Sequence, residues 1–262
     1  MEKHIMANKH GDYVWYELLT DDAQGAAEFY ADVVGLTAKE SGMSEGPPYW
    51  LLSAPDGSEV AGMMELDDDM KAGGARPVWL GYIGVDDVDA SAEKVKAEGG
   101  AVHIGPRDIP GVGRFAMVAD PHGAPFYIMR DSSDEKSHAY SAENKKGHVG
   151  WHELGTPDVD KSLAFYAAVA GWSQGERMDM PDGPYQMFDQ SGRSIGGMMD
   201  PGKSFPPVWN YYWWSDGVEA AAERTKKAGG EIMFGPHEIP GGNVIIFGMD
   251  PQKAVFCLVG PR

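Results

Sequence analysis

The chain contains a single cysteine, Cys257, which excludes an intrachain disulfide and any zinc site built from thiolates. Long apolar runs are absent too. None reaches the roughly 18 residues needed to cross a bilayer, and the opening stretch MEKHIMANKHGDY lacks the apolar centre of a secretion signal. A cytoplasmic protein is the resulting expectation. Cations are scarce, with 22 Lys and Arg against 40 Asp and Glu and a formal net charge of −18. A field of that sign repels phosphate backbones and anionic lipid, so no nucleic acid and no membrane surface is expected as a partner. Apolar residues, by contrast, fill 42% of the 262 positions, enough for two ordinary domains with real cores.

The order of parts repeats. WYELLTDDAQGAAEFYADVVGL from Trp15 is matched by WHELGTPDVDKSLAFYAAVAGW from Trp151, and GPRDIPGVGRFAMVADPHGAPF from Gly105 by GPHEIPGGNVIIFGMDPQKAVF from Gly235. A GMM triplet recurs at Gly62 and Gly197. Within each half a finer unit recurs: Trp15, Trp79, Trp151 and Trp209 each stand seven residues before an aspartate, at Asp22, Asp86, Asp158 and Asp216. An internal period of this kind marks one supersecondary unit used several times.

In each unit a short aromatic run reads as a strand, and the aspartate is placed to cap an alanine-rich helix. In the first unit Ala26, Phe29, Tyr30 and Val33 carry the helical period. A turn glycine follows (Gly35, Gly100, Gly171, Gly230), then three short runs broken by Gly, Pro and Asp. The pattern predicts βαβββ four times. The tract from Asp131 to Gly147 is polar and charged and reads as a linker. The expected domains are therefore 8–130 and 148–262, with 131–147 between them.

The W-x6-D spacing, the Phe-Tyr pair seven and eight residues past the aspartate, and the later Asp-Pro strand resemble the signature of the vicinal-oxygen-chelate (glyoxalase/bleomycin resistance/dioxygenase) superfamily over nearly the whole chain. The Trp-x-Glu-Leu opening and the GxxxIPGxG turn are similar to tandem glyoxalase-like proteins of the bacterial 27-kDa antigen type. The resemblance implies an α+β fold of four βαβββ modules, paired into two glyoxalase-like domains whose curved, mostly antiparallel sheets each form a cup. Periodicity alone reaches only α+β, with a ferredoxin-like arrangement still open.

In that superfamily, metal-dependent members hold an ion with His, Gln or Glu on the first and last strands of paired modules, where it stabilises enolate-like charge. The first-strand places here, seven residues before the helix aspartate, are Trp15, Trp79, Trp151 and Trp209, and the last-strand places are Tyr127 and Cys257. An indole nitrogen has no lone pair to give. The usual metal is therefore not expected and no cofactor is implied. A divalent ion on an irregular set from Glu65, Asp200, His103 or His237 stays open. His152 alternates with Trp151 and Glu153, so it is expected to face the helix layer as a structural histidine.

The same alternation puts Glu17 with Trp15, and Glu153 with Trp151, on the face that lines the cup. Glu17 and Glu153 are the candidate acid/base residues. Trp15, Trp79, Tyr127, Trp151, Trp209, Tyr211 and Cys257 are the candidate ligand-binding residues, with Trp15/Trp79 and Trp151/Trp209 sandwiching a flat molecule. The bland alternative is that the tryptophans fill the cup. Gly81, set against Tyr211 in the other half, predicts that the N-terminal cup is the more open. Paired methionines at Met63–Met64 and Met198–Met199 offer an adaptable wall or plain core, and Asp67–Asp69 reads as a solvated turn.

Three functions follow. The first is a metal-free protein binding a planar apolar or carbonyl compound. The second is an enzyme of the same fold, of isomerase, lyase or hydroxylase type, using Glu17 or Glu153. The third is a metal-dependent glyoxalase or dioxygenase. The expected partner is a small molecule, and the chain is expected as a monomer or homodimer.

Overall fold

The computed structural model describes residues 8–42, 47–180, 183–202 and 205–262. The βαβββ unit is present four times. Module 1 comprises β1 (Tyr13–Thr20), α1 (Ala23–Val33), β2 (Thr37–Glu40), β3 (Tyr49–Ser53) and β4 (Glu59–Glu65), followed by a short helix α2 (Asp68–Ala72). Module 2 comprises β5 (Val78–Gly84), α3 (Val88–Ala97), β6 (Ala101–Ile109), β7 (Gly113–Ala119) and β8 (Pro125–Asp131). Module 3 comprises β9 (Val149–Gly155), α4 (Val159–Ala170), β10 (Ser173–Met180), β11 (Gly183–Gln190) and β12 (Arg193–Met199). Module 4 comprises β13 (Val208–Trp214), α5 (Val218–Lys227), β14 (Glu231–Glu238), β15 (Val244–Met249) and β16 (Val255–Gly260).

Two eight-stranded mixed sheets result, in the orders β2-β3-β4-β1-β5-β8-β7-β6 and β10-β11-β12-β9-β13-β16-β15-β14. In every module the first strand pairs in parallel with the last, and the connecting hairpins are antiparallel. The compact units do not follow the order of the chain. One holds the described residues up to Val14 with Gly81–Ser137 and His152–Trp209, essentially modules 2 and 3. The other holds Trp15–Leu80, His138–Trp151 and Asn210–Arg262, essentially modules 1 and 4.

The helices start where side chains satisfy their open N–H groups. Asp22 accepts from the Gly25 N–H at 2.9 Å and Asp158 from that of Lys161 at 3.0 Å. In modules 2 and 4 the start falls one residue later than the repeat predicts. Asp87, not Asp86, caps α3 by accepting from the Ala90 N–H at 2.9 Å, and α5 starts after Gly217, not Asp216, with no side-chain cap. The Asp67–Asp69 run, expected as a turn, opens α2, with Asp67 accepting from the Met70 N–H. Part of the expected linker is built in, since Ala139 is buried and Tyr140 bridges to Val149.

The one-residue delay has a consequence for both sheets. Counted from the true cap, the places seven residues back on β5 and β13 are Leu80 and Asn210, and Trp79 and Trp209 fall one position off. On a strand, one position is a change of face. Trp79 is buried against helix α1, where its Nε1–H donates to the Tyr30 hydroxyl at 2.8 Å, and that hydroxyl donates to Asp250 at 2.9 Å. In the other unit Trp209 donates to the Tyr166 hydroxyl of α4 at 2.8 Å, with Asp120 3.5 Å beyond. The expectation that Trp79, Trp209 and Tyr211 line cups is therefore corrected: all three face the helix layer. Tyr211 and Trp213 follow Trp209 by alternation and meet Tyr16 edge-on at 5.2 and 5.7 Å. Gly81 shares the face of Trp79, so the inference of a wider N-terminal cup loses its premise.

Candidate functional site

With Trp79 and Trp209 removed, the first strands carry the site. On β1 the residues opposite in face to the buried Tyr16 and Leu18 are Trp15 and Glu17. Glu17 is buried, and its Cα partner on the neighbouring β4 is Gly62. That glycine is required by what lies over it. A Cβ built there would collide with the ring and hydroxyl of Tyr49 from β3. The Tyr49 hydroxyl accepts the Trp15 Nε1–H at 3.0 Å. Trp15 and Tyr49, joined by that hydrogen bond, are half-buried, whereas Glu17 is buried.

Module 3 repeats the device. Glu153, buried on β9, has Gly197 of β12 as its Cα partner, and a Cβ on Gly197 would collide with the Tyr185 ring of β11. Trp151 stands two residues before Glu153, as Trp15 does before Glu17, and is likewise half-buried. Tyr49 and Tyr185 were not singled out from the sequence. The signal was there in GPPYW from Gly46 and GPYQM from Gly183, whose Pro-Tyr elements precede the matching GMM glycines.

The last strands offer different surfaces. Tyr127 on β8 stacks on Tyr82 of β5, with centroids 4.2 Å apart and planes at 12°. Phe115 lies 6.0 Å away. Cys257 on β16 is fully buried in a cluster with Tyr212 and Val259, against which Trp151, Trp214, Ile245 and Phe247 pack. Met63 and Met198 are plain core, whereas Met64 and Met199 are half-buried on the Gly62 and Gly197 face.

The histidines have other occupations. His152 is fully buried on the helix face; its Nδ1–H donates to the Ile195 carbonyl at 2.7 Å, and its ring stacks 3.8 Å from Tyr13. Burial pulls its pKa down to about 3, although the Ile195 bond opposes the shift. His148 donates from Nδ1 to the His138 carbonyl at 2.6 Å and meets Asp56 at 3.2 Å with Nε2. Glu65 accepts from the Ala23 N–H at 2.9 Å, at the start of α1, and Asp200 accepts from that of Gly202 at 2.8 Å. His103 and His237 are exposed.

Residues 12–128 match the family described as Glyoxalase/Bleomycin resistance protein/Dioxygenase superfamily. Modules 1 and 2, which this stretch spans, belong to that superfamily. Its relatives include the CFP32 protein of Mycobacterium tuberculosis, named as a provisional glyoxylase, which is 29% identical over 254 residues covering 97% of this chain and 96% of the relative. Another is the anthracycline biosynthesis protein DauV of a Streptomyces species, 27% identical over 266 residues covering 96% and 94%. Among solved structures, the Mn(II)-bound glyoxalase of Novosphingobium aromaticivorans superposes with a TM-score of 0.65 at 19% identity, covering 96% of this chain and 82% of that one. That likeness is one of fold.

The superfamily implies a divalent ion, and the donor chemistry of this chain does not fit it. Corrected for register, the ligand places are Trp15, Gly62, Leu80 and Tyr127 in one sheet and Trp151, Gly197, Asn210 and Cys257 in the other. Trp15 spends its only polar hydrogen on Tyr49, and a glycine and a leucine offer no side-chain donor atoms. Among the described residues no three His, Cys, Asp or Glu side chains are grouped to hold an ion.

Proposed function

We propose that this superfamily member binds a small organic molecule, flat and bearing an oxygen, at the buried glutamates of its first strands and without the superfamily's usual ion. One observation carries the reading: a buried carboxylate, a facing glycine and an overlying tyrosine occur together in module 1 and again in module 3. The half-buried rings of Trp15 and Tyr49 on the neighbouring strand positions supply stacking surface for a planar ligand. The reading places the protein in the cytoplasm with a small molecule as its partner, as its acidic charge and short apolar runs suggest.

The name of the Streptomyces relative suggests an anthracycline as the first probe. Titration of an anthracycline, followed by tryptophan fluorescence, should saturate, and the double variant Glu17→Gln/Glu153→Gln should weaken binding about tenfold, as expected for loss of a charge-assisted hydrogen bond. Stoichiometric divalent metal in protein purified without chelator would overturn the metal-free part of the proposal.

A second reading is favoured by the same carboxylate standing close to a tyrosine hydroxyl, an arrangement suited to moving a proton at a carbonyl compound. Under it, Glu17→Gln/Glu153→Gln abolishes turnover of a carbonyl substrate while leaving its affinity almost unchanged.

A further inference from the structure

We infer that the outer face of module 2 binds a planar aromatic carboxylate, with the Arg107 guanidinium holding the carboxylate and the ring of the ligand lying along Phe115 and Met117. These residues stand on β6 and β7, so the inference does not rest on the first-strand glutamates of the reading above.

The face is assembled by strand register. Across β6 and β7, Arg107 and Phe115 are Cα partners, as are Ile104 and Met117. Met117 is in turn the partner of Tyr127 on β8, and Tyr127 of Tyr82 on β5. Partners on adjacent strands share a face, and this one is opposite to that of the buried Ala116 and Val118. Burial falls off along it. The stacked Tyr82 and Tyr127 are buried, Phe115 and Met117 are half-buried, and Arg107, on the outermost strand of the sheet, is exposed.

Arg107 is a cation that the fold itself does not use. Its guanidinium carbon stands 5.9 Å from the centre of the Phe115 ring, close to the outer limit of a cation–π contact. Among the described residues no carboxylate pairs with it. Arg114, on the opposite face, donates to Asp89 of α3 at 2.6 and 2.9 Å and to Asp108 at 3.0 Å, which takes up the carboxylate next in sequence to Arg107. Module 4 repeats this clamp: Arg262 donates to Glu219 at 2.6 Å and to Glu238 at 3.3 Å, the counterparts of Asp89 and Asp108. It does not repeat Arg107, whose counterpart is His237, 5.3 Å from Phe234. Duplication has thus kept the ion pairs that tie helix to sheet and changed the outer face, which assigns Arg107 to recognition.

The chemistry of the face names the ligand. A guanidinium is a donor only, and its planar fork matches the two oxygens of a carboxylate. The net charge of −18 repels an anion from most of the surface, so a local cation is needed to hold one. Phe115 and Met117 offer apolar surface to a flat ring. A carboxylate joined to an aromatic ring satisfies both features, and a neutral amide of the same shape satisfies the ring alone.

The test compares 2-naphthoate with its uncharged isostere 2-naphthamide by titration calorimetry at about 0.15 M salt. The wild type should bind the acid about tenfold more tightly than the amide, the worth of a charge-assisted hydrogen bond. Arg107→Gln should erase that preference with the amide affinity unchanged, and Arg107→Lys, which keeps the charge without the fork, should fall between. The thermal midpoint of Arg107→Gln should match the wild type, whereas loss of a structural ion pair would lower it. His237→Gln and Glu17→Gln/Glu153→Gln should both leave the preference intact. If the wild type binds the two probes equally or binds neither, if Arg107→Gln keeps the preference, or if either control variant abolishes it, the inference is wrong. The reading of the first-strand glutamates is decided separately, by the anthracycline titration.

Discussion

Tyr30 and Tyr166 belong to the Phe-Tyr pairs that stand out in the repeat, yet their hydroxyls are occupied far from the first-strand glutamates. Each receives an indole N–H and each faces a buried aspartate from an Asp-Pro turn. Burial holds Asp250 above the usual carboxylate range, and it pushes the Tyr30 hydroxyl well above its ordinary value. Removing the Tyr30 oxygen would strand both the Trp79 donor and the Asp250 acceptor. Tyr30→Phe should therefore cost about 2–4 kcal/mol in urea unfolding, the penalty of two buried groups losing a partner. Tyr166→Phe should cost less, because its contact with Asp120 is already 3.5 Å long. Equal losses in the two variants would show that the aspartate contact contributes nothing.

At the scale of elements, a single misplaced position decided which tryptophans face which way. The W-x6-D spacing holds for all four modules in sequence, but helices α3 and α5 begin one residue after the aspartate it points to. Asp87→Ala should destabilise by about 1 kcal/mol, as loss of an N-cap does, and Asp86→Ala by much less. Asp86 is an exposed residue whose side chain lies 3.8 Å from His10, a weak contact. Comparison of the two thermal midpoints tests the assignment, and the reverse order would restore the original register. The four modules were legible because duplication and helical periodicity average over many residues. The face of a strand depends on parity, and two adjacent aspartates, Asp86 and Asp87, leave parity undetermined. The strand face of Glu17 and Glu153 was legible because Asp22 and Asp158 do cap their helices. The place of Tyr49 and Tyr185 over Gly62 and Gly197 was not legible, since it depends on hairpin register.

For the molecule as a whole, acid is the informative perturbation. His152 is neutral in the folded protein down to about pH 3, held so by burial, whereas in the unfolded chain it takes up a proton below about pH 6.5. Its contribution is thus complete above that value and is lost as pH falls from about 6.5 towards about 3. The wild type should lose about 2 kcal/mol more than His152→Gln between pH 7 and pH 5. Parallel stability curves for the two proteins would contradict the buried neutral state.

The grouping of modules 1 and 4 into one compact unit bears on how the chain comes to be folded. Helix α1 is made well before Asp250, which its Tyr30 contacts across 220 residues, and Phe256, 5.4 Å from its Phe29. Domains completed by local contacts can fold as they are made, whereas distant ones must wait. Until those residues emerge, part of the helix's apolar side stays uncovered, and that interval is when the nascent chain is most exposed to aggregation.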